Sequence, residues 1–177
     1  MDPATLARLT SARLTSARLP SVSLRATFGS NVDLAALFGR TVLYVYPRTG
    51  RPGTHSPEDW DVIPGARGCT PEACSFRDHF AELRTAGITR VFGVSSQDSD
   101  YQSEAVERLH LPFAMLSDPG LALALNLDLP TFEAGGEIFY SRLTIIANGS
   151  TIEKVFFPVH DPQNHAAEIV SWLGSTK

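Results

Sequence analysis

The sequence predicts an α/β fold in which a central mixed β-sheet carries helices on both faces. Residues 41–46 form a continuous run of β-branched, aromatic and aliphatic residues, typical of a central strand buried on both faces. Strand-like and helix-like segments then alternate over residues 88–125. Asn148-Gly149 joins two apolar runs as a hairpin signal, and a helix is expected over residues 163–173. Alternation of this kind is typical of a sheet covered by helices.

The length of 177 residues predicts one domain, which we place at residues 21–177. Residues 1–20 are predicted to form a disordered leader, because the string TSARL occurs twice in them and no acidic residue stands between Asp2 and Asp33. Arginine and hydroxyl residues without acids also resemble an organellar transit peptide. We therefore expect a cytoplasmic protein, with an organelle as the alternative.

Composition excludes several classes of function. The net charge of −4 gives no basic surface for nucleic acid. No apolar run approaches the roughly 18 residues that a membrane helix needs. Two cysteines are too few for a small secreted domain held by disulfides. We expect neither a nucleic-acid partner nor a membrane span, and the two cysteines point to redox chemistry or metal binding.

A long loop is predicted over residues 48–68, which contain three prolines. Loops beyond about 12–15 residues in compact domains are usually functional or disordered. Trp60 is interpreted as an anchor that packs this loop onto the domain, with a place in a substrate pocket as the alternative. A helix is predicted to follow over residues 70–86, with Thr70 as its cap and Pro71 in its first turn.

The two cysteines, Cys69 and Cys74, stand at the start of this predicted helix. The partial positive charge of a helix N-terminus stabilises a thiolate, which is the nucleophilic form of cysteine. Five residues of helix rise by about 7.5 Å, whereas a disulfide requires Cα atoms within roughly 6.8 Å. A disulfide between the two would therefore require the first turn to unwind.

The strings YVYP at residues 44–47 and GCTPEACSFRD at residues 68–78 resemble the peroxiredoxin Q, or bacterioferritin-comigratory, branch of the peroxiredoxins. The resemblance extends over residues 20–175. It implies a thioredoxin-like fold and a thiol peroxidase that uses no metal, haem or flavin. It also implies a monomer.

The same resemblance assigns roles to individual residues. Cys69 would be the peroxidatic cysteine, oxidised to a sulfenic acid by hydrogen peroxide or an organic hydroperoxide. Cys74 would be the resolving cysteine, which condenses with that sulfenic acid to an intramolecular disulfide. Thioredoxin or a similar dithiol would reduce the disulfide. Arg142 stands where the family keeps an arginine that supports the thiolate.

The chain departs from the family pattern before the reactive cysteine. The family has proline seven and threonine or serine three residues before it, where this chain has Val62 and Ala66. The loop is longer, as though about fifteen residues were inserted after residue 53. Thr49 is the predicted source of the missing hydroxyl, and Thr54 is the weaker candidate.

Other interpretations of these residues remain open. Free cysteine is often buried as an inert core residue. His79, five residues beyond Cys74, could join a zinc site, although structural zinc requires four ligands. Arg142 could be solvated on a strand face. Two rival functions also remain, a thiol–disulfide oxidoreductase acting on proteins and a redox sensor or binding module whose long loop carries the partner site.

Overall fold

The computed structural model describes residues 1–176, and Lys177, the last residue of the predicted domain, lies outside them. None of the described helices is both long and apolar enough to cross a membrane. The helices are α1 (Pro3–Leu14), α2 (Cys69–Asp78), α3 (Phe80–Thr85), α4 (Ser99–Leu109), α5 (Ala122–Leu127) and α6 (His165–Ser175). The strands are β1 (Ser23–Ala26), β2 (Asn31–Asp33), β3 (Arg40–Val45), β4 (Ile88–Ser95), β5 (Met115–Ser117), β6 (Thr131–Ala134), β7 (Glu137–Tyr140), β8 (Leu143–Asn148) and β9 (Thr151–Phe156).

The central sheet has seven strands in the order β2-β1-β5-β4-β3-β8-β9, and β6 and β7 form a separate hairpin. Strand β3 pairs in parallel with β4, and β4 in parallel with β5. The other pairings of the sheet, such as β3 with β8, are antiparallel. The sheet is therefore mixed, as the sequence predicts.

Strand β3 shows why the sheet is covered on both faces. Its Leu43 and Val45 belong to one core cluster, which takes in residues of α1 and α5. Val42 and Tyr44 belong to a second cluster, which takes in residues of α2, α3 and α6. Because side chains alternate along a strand, the continuous apolar run fills both cores. The predicted fold class, with helices on both faces, is confirmed.

The helix predicted over residues 70–86 is divided into α2 and α3. His79 lies between them with φ −101° and ψ 10°. Its backbone N–H donates to the Ser75 carbonyl at 3.0 Å, and its ring Nδ1 lies 2.9 Å from the same oxygen. The regular helical backbone angles are thus interrupted at this one residue, while its helical hydrogen bond to Ser75 is kept.

The N-terminal segment is ordered in the structure, whereas the sequence predicts a disordered leader over residues 1–20. Asp2 caps α1 by accepting the N–H of Thr5 at 3.0 Å. The helix buries Leu14, which is 1% exposed, in the core. Arg13 donates to the Leu127 carbonyl at 2.7 Å, and Ser16 N donates to Ile152 at 2.8 Å. These contacts hold the segment in place, although its sequence has low complexity.

Candidate active site

Helix α2 begins at Cys69 because the residue before it is a glycine. Gly68 has φ +101°, a conformation that L side chains rarely adopt. A Cβ atom at this position would lie 2.9 Å from the Pro162 ring. Glycine therefore permits both the turn into α2 and the close approach of the segment before α6.

Arg142, between β7 and β8, is the cation at the Cys69 thiol. It is 2% exposed, so the alternative of a solvated arginine is wrong. Its Nη2 lies 3.1 Å from Cys69 Sγ and donates to the carbonyls of Gly65, Ala66 and Arg67 at 3.3, 3.4 and 2.9 Å. One guanidinium thus contacts the thiol and holds the chain that leads into α2.

Glu72 completes this charged group, and the sequence analysis did not assign it. It is fully buried and accepts a hydrogen bond from Arg142 Nη1 through Oε2. Burial raises its pKa to about 7, although Arg142 opposes the shift. Helical spacing could have identified it, because positions 69, 72 and 76 lie on one face of α2 and Cys69 and Phe76 are both buried there.

Burial raises the pKa of the Cys69 thiol. Arg142 opposes this effect most strongly, and the backbone N–H of Arg48 also opposes it, whereas Glu72 reinforces it. The thiol also lies 3.7 Å from the Ala66 carbonyl, a contact that suits an S–H donor. The position at the start of α2 agrees with the sequence analysis, but the thiol's charge balance is set by burial, Arg142 and Glu72.

Cys74 lies within α2, is half-buried and is a free thiol, as is Cys69. Both cysteines belong to one intact helix. A separation of five helical residues exceeds the reach of a disulfide. A disulfide between the two therefore requires a change in α2.

Two tyrosines of the YVYP string form the apolar wall behind the thiol. Tyr44 stacks on Phe76 of α2 with ring centroids 4.4 Å apart, and Tyr46 stacks on Tyr44 at 5.6 Å. Burial raises the pKa of both phenols. They remain neutral near pH 7 and shield the thiol from water.

The Thr49 hydroxyl has a partner within the protein. It is buried and lies 3.2 Å from Gln97 Oε1, and the backbone N–H and C=O of Thr49 also bond to the Gln97 amide. The space that opens onto Cys69, which we call the thiol pocket, has a volume of about 190 Å³ and is not bordered by Thr49. The structure brings together Cys69, Arg142 and Glu72, and it pairs the Thr49 hydroxyl with Gln97.

The zinc alternative finds no ligand set in residues 1–176. No group of three or more histidine, cysteine or acidic side chains there is placed to hold a metal ion. His79 Nδ1 is instead 2.9 Å from the Ser75 carbonyl. The buried cation beside Cys69 also distinguishes this cysteine from an inert core thiol, which has no charged partner.

The redoxin family profile matches residues 14–170 of the chain. The chain belongs to the redoxin family. The profile covers the sheet, α2 and Arg142, so the cysteine, its arginine and the buried glutamate all lie inside the matched region. The N-terminal part of α1 lies outside it.

Curated relatives of this redoxin are plant peroxiredoxins Q. The chloroplastic protein of Gentiana triflora is 26% identical over 154 residues, which cover 86% of this chain and 63% of the relative. The chloroplastic protein of Sedum lineare is 26% identical, covering 88% of this chain and 75% of the relative. The chain thus spans less than two thirds of the length of several relatives that it matches.

Solved structures show the same fold. Peroxidoxin BcpB of Mycobacterium tuberculosis has a TM-score of 0.73 at 21% identity, covering 92% of this chain and 97% of that one. The bacterioferritin comigratory protein of Xanthomonas campestris, described with an alkyl peroxide reduction activity, has a TM-score of 0.72 at 20% identity, covering 92% and 98%. The predicted resemblance to the peroxiredoxin Q branch and its thioredoxin-like fold is confirmed.

Proposed function

We propose that this redoxin is a thiol peroxidase in which Cys69 is the peroxidatic cysteine and Arg142 supports it. The observation that carries the proposal is the 3.1 Å contact between Arg142 Nη2 and Cys69 Sγ in a buried site. A buried cation at a thiol favours the thiolate and can stabilise charge that develops on a peroxide oxygen. A structural thiol requires no such partner.

The proposed first step is nucleophilic attack by the Cys69 thiolate on one peroxide oxygen. The S–O bond forms as the O–O bond breaks, so the cysteine becomes a sulfenic acid. The other oxygen leaves as hydroxide or alkoxide and takes a proton to become water or an alcohol. Arg142 donates its hydrogen bonds in a low-dielectric site, where they are stronger than in water.

Cys74 is the proposed resolving cysteine. Its thiol condenses with the Cys69 sulfenic acid, so that an S–S bond forms and water is released. Both cysteines lie in α2, and the first turn of that helix must therefore open before the sulfur atoms can meet. A conformational change in α2 is part of the proposed cycle.

The proposed partners are hydrogen peroxide or an organic hydroperoxide as the oxidant and thioredoxin or a similar dithiol as the reductant. The dithiol exchanges with the disulfide and restores both thiols. No metal, haem or flavin takes part in the proposed chemistry, and the active form is a monomer. Light scattering on the purified chain tests the oligomeric state.

The proposed compartment is the cytoplasm, with an organelle as the alternative. Several relatives are named as chloroplastic, which supports the alternative. The hydrogen bonds from Arg13 to the Leu127 carbonyl and from Ser16 to the Ile152 carbonyl favour retention of this segment in the folded protein. Fractionation of cells, followed by N-terminal sequencing of the protein from each fraction, distinguishes the two.

Rapid-mixing kinetics test the peroxidase proposal. Reduced protein is mixed with peroxide, and recycling by thioredoxin and its reductase is followed through loss of NADPH. The wild type is expected to react fast and turn over. The Cys69→Ser variant should not react, whereas Cys74→Ser should react once and fail to recycle.

A slow reaction in the wild type that does not depend on Cys69 would contradict the proposal and favour a sensor or binding role. Disulfide exchange with protein thiols that outpaces the peroxide reaction would favour the oxidoreductase. The Cys74→Ser variant is the matched control, because it alters the other cysteine of the same helix.

A further inference from the structure

Arg48, the first residue of the long loop over residues 48–68, lies between two openings beside the reactive thiol. Its backbone N–H is hydrogen-bonded to the Cys69 thiol. The residue borders the thiol pocket and also a neighbouring cavity of about 600 Å³, here called the outer cavity. A ligand in the outer cavity can therefore contact Arg48 while its reactive end reaches the thiol.

The guanidinium of Arg48 is held by aromatic side chains. It is half-buried and lies over the Trp60 ring at 5.9 Å and over the Tyr101 ring at 6.0 Å, within the range of a cation–π contact. Its Nη2 donates to the Tyr101 hydroxyl at 3.2 Å. The described part of the chain supplies no partner for its other N–H groups, which leaves them for a ligand.

Among the arginines of the loop, Arg48 has no acidic partner in residues 1–176. By contrast, Arg51 pairs with Glu104 at 3.6 Å, and Arg67 pairs with Asp61 at 3.5 Å. A guanidinium that is partly removed from water gains from a carboxylate, which accepts two parallel hydrogen bonds from its planar fork. Arg48 is therefore placed to bind an anionic group of a ligand.

The outer cavity is hydrophilic. Most of its lining side chains are polar or charged, which does not suit a long alkyl chain. Its acidic residues, Glu58, Asp98 and Glu137, are exposed and do not border the thiol pocket. The wall thus carries positive charge next to the thiol and negative charge away from it. This arrangement suits a ligand with both a carboxylate and an ammonium group.

We propose that Arg48 binds the carboxylate of a zwitterionic organic hydroperoxide, namely the hydroperoxide of an amino acid. The carboxylate lies at the guanidinium, the ammonium group points toward the exposed acids of the outer cavity, and the hydroperoxide group enters the thiol pocket. Arg48 selects among hydroperoxides and takes no part in breaking the O–O bond. The inference rests on the proposed peroxidase function.

The test compares two hydroperoxides that differ in the carboxylate, leucine hydroperoxide and leucinamide hydroperoxide. Each is mixed with reduced protein at pH 7, and the second-order rate constant for Cys69 oxidation is measured. The wild type is expected to react about tenfold faster with leucine hydroperoxide, the effect of one hydrogen bond to a charged group. In Arg48→Gln the two rate constants should be nearly equal. Arg48→Lys should restore part of the preference, because lysine keeps the charge without the planar fork.

Arg51→Gln is the matched control. Arg51 lies over the same Tyr101 ring at 4.3 Å but borders neither the thiol pocket nor the outer cavity. This variant should keep the wild-type preference. The ratio of the two rate constants cancels any general change in the reactivity of Cys69 that a substitution causes.

A wild type that does not distinguish the two hydroperoxides would overturn the inference, and so would an Arg48→Gln variant that keeps the preference. Loss of the preference in Arg51→Gln would also overturn it, since any positive charge near the loop would then suffice. If the wild type still reacts fast with hydrogen peroxide in these cases, only this inference falls. A wild type inert to every hydroperoxide removes the proposed function as well.

Discussion

At the scale of single residues, the charge around the Cys69 thiol is a balance between two buried groups. Arg142 favours the thiolate, and Glu72 disfavours it. The two are also paired with each other through a hydrogen bond. Because the pKa of Glu72 is raised to about 7, its charge changes near neutral pH. The reactivity of the thiol should therefore depend on both partners.

The first prediction concerns the pKa of Cys69, measured by ultraviolet absorbance in a Cys74→Ser background. Arg142→Gln should raise that pKa, because the cation that opposes burial is lost. Glu72→Gln should lower it, because the nearby negative charge is lost. At pH 7 the arginine variant should react with peroxide about a hundredfold more slowly, the cost of losing one preorganised donor.

Opposite shifts of the Cys69 pKa in the two variants would distinguish electrostatic control of the thiol from structural damage to the site. Equal upward shifts would contradict the account, since they would mean that both changes merely disturb packing. Circular dichroism of each variant checks that α2 is retained.

Individual residues also show how far the sequence could predict the site. Cys69 and Arg142, which the structure brings into contact, were predicted from strings or positions shared with a family. Cys74 was predicted in the same way, and its resolving role stays a prediction. Glu72 was missed, since an acid in the first turn of a helix usually interacts with the helix dipole. Thr49 was chosen by its place in the loop, and the path of a long loop cannot be inferred from local preferences alone.

At the scale of elements, α2 must change shape during the proposed cycle. The N–H of Glu72 donates to the Gly68 carbonyl at 2.9 Å and closes the first turn. Beyond Cys74 the helix is held by Phe76, which is fully buried against Tyr44. The start of α2 can therefore open while its second half stays in place.

The second prediction is that the amides of residues 72–74 lose protection from hydrogen exchange when the wild type is oxidised. The amides of α3 should keep theirs, because α3 packs on the core through Leu83. Cys74→Ser treated with the same peroxide should retain protection in both helices. Unchanged exchange in oxidised wild type would show that the disulfide forms without unwinding.

The long loop over residues 48–68 is attached to the domain through Trp60. This residue is 6% exposed and packs on Phe132 and Phe139 of the β6–β7 hairpin. The third prediction is that Trp60→Ala speeds hydrogen exchange at residues 62–66 by about a hundredfold. This corresponds to a loss of about 3 kcal/mol of local packing. Phe28→Ala, which alters an exposed aromatic residue, is the control and should leave these amides unchanged.

At the scale of the whole molecule, the sheet could be predicted from the sequence, whereas the ordered N-terminal segment could not. The apolar run at residues 41–46 predicts β3 because a strand buried on both faces needs apolar residues at every position. The repeated TSARL strings suggested disorder. Their Leu14 and Leu19 are nevertheless buried in the core. Burial by distant elements is not visible in local composition.

The fourth prediction is that deletion of residues 1–14 lowers the free energy of unfolding by about 3 kcal/mol. The deletion removes Leu14 from the core, a loss comparable to a large-to-small core substitution, and it removes the bonds from Arg13 to the Leu127 and Asp128 carbonyls. Urea unfolding measures the change. Arg8→Ala, at an exposed position of α1, should be close to wild type, and an unchanged stability after deletion would contradict the packing described.

The central claim is that Cys69 and Cys74 together reduce a peroxide by two electrons. Intact-mass spectrometry after one equivalent of hydrogen peroxide tests it most directly. We expect the wild type to lose two hydrogen atoms, Cys74→Ser to gain one oxygen atom, and Cys69→Ser to keep its mass. A gain of oxygen in Cys69→Ser, or a wild type whose mass does not change, would contradict the account.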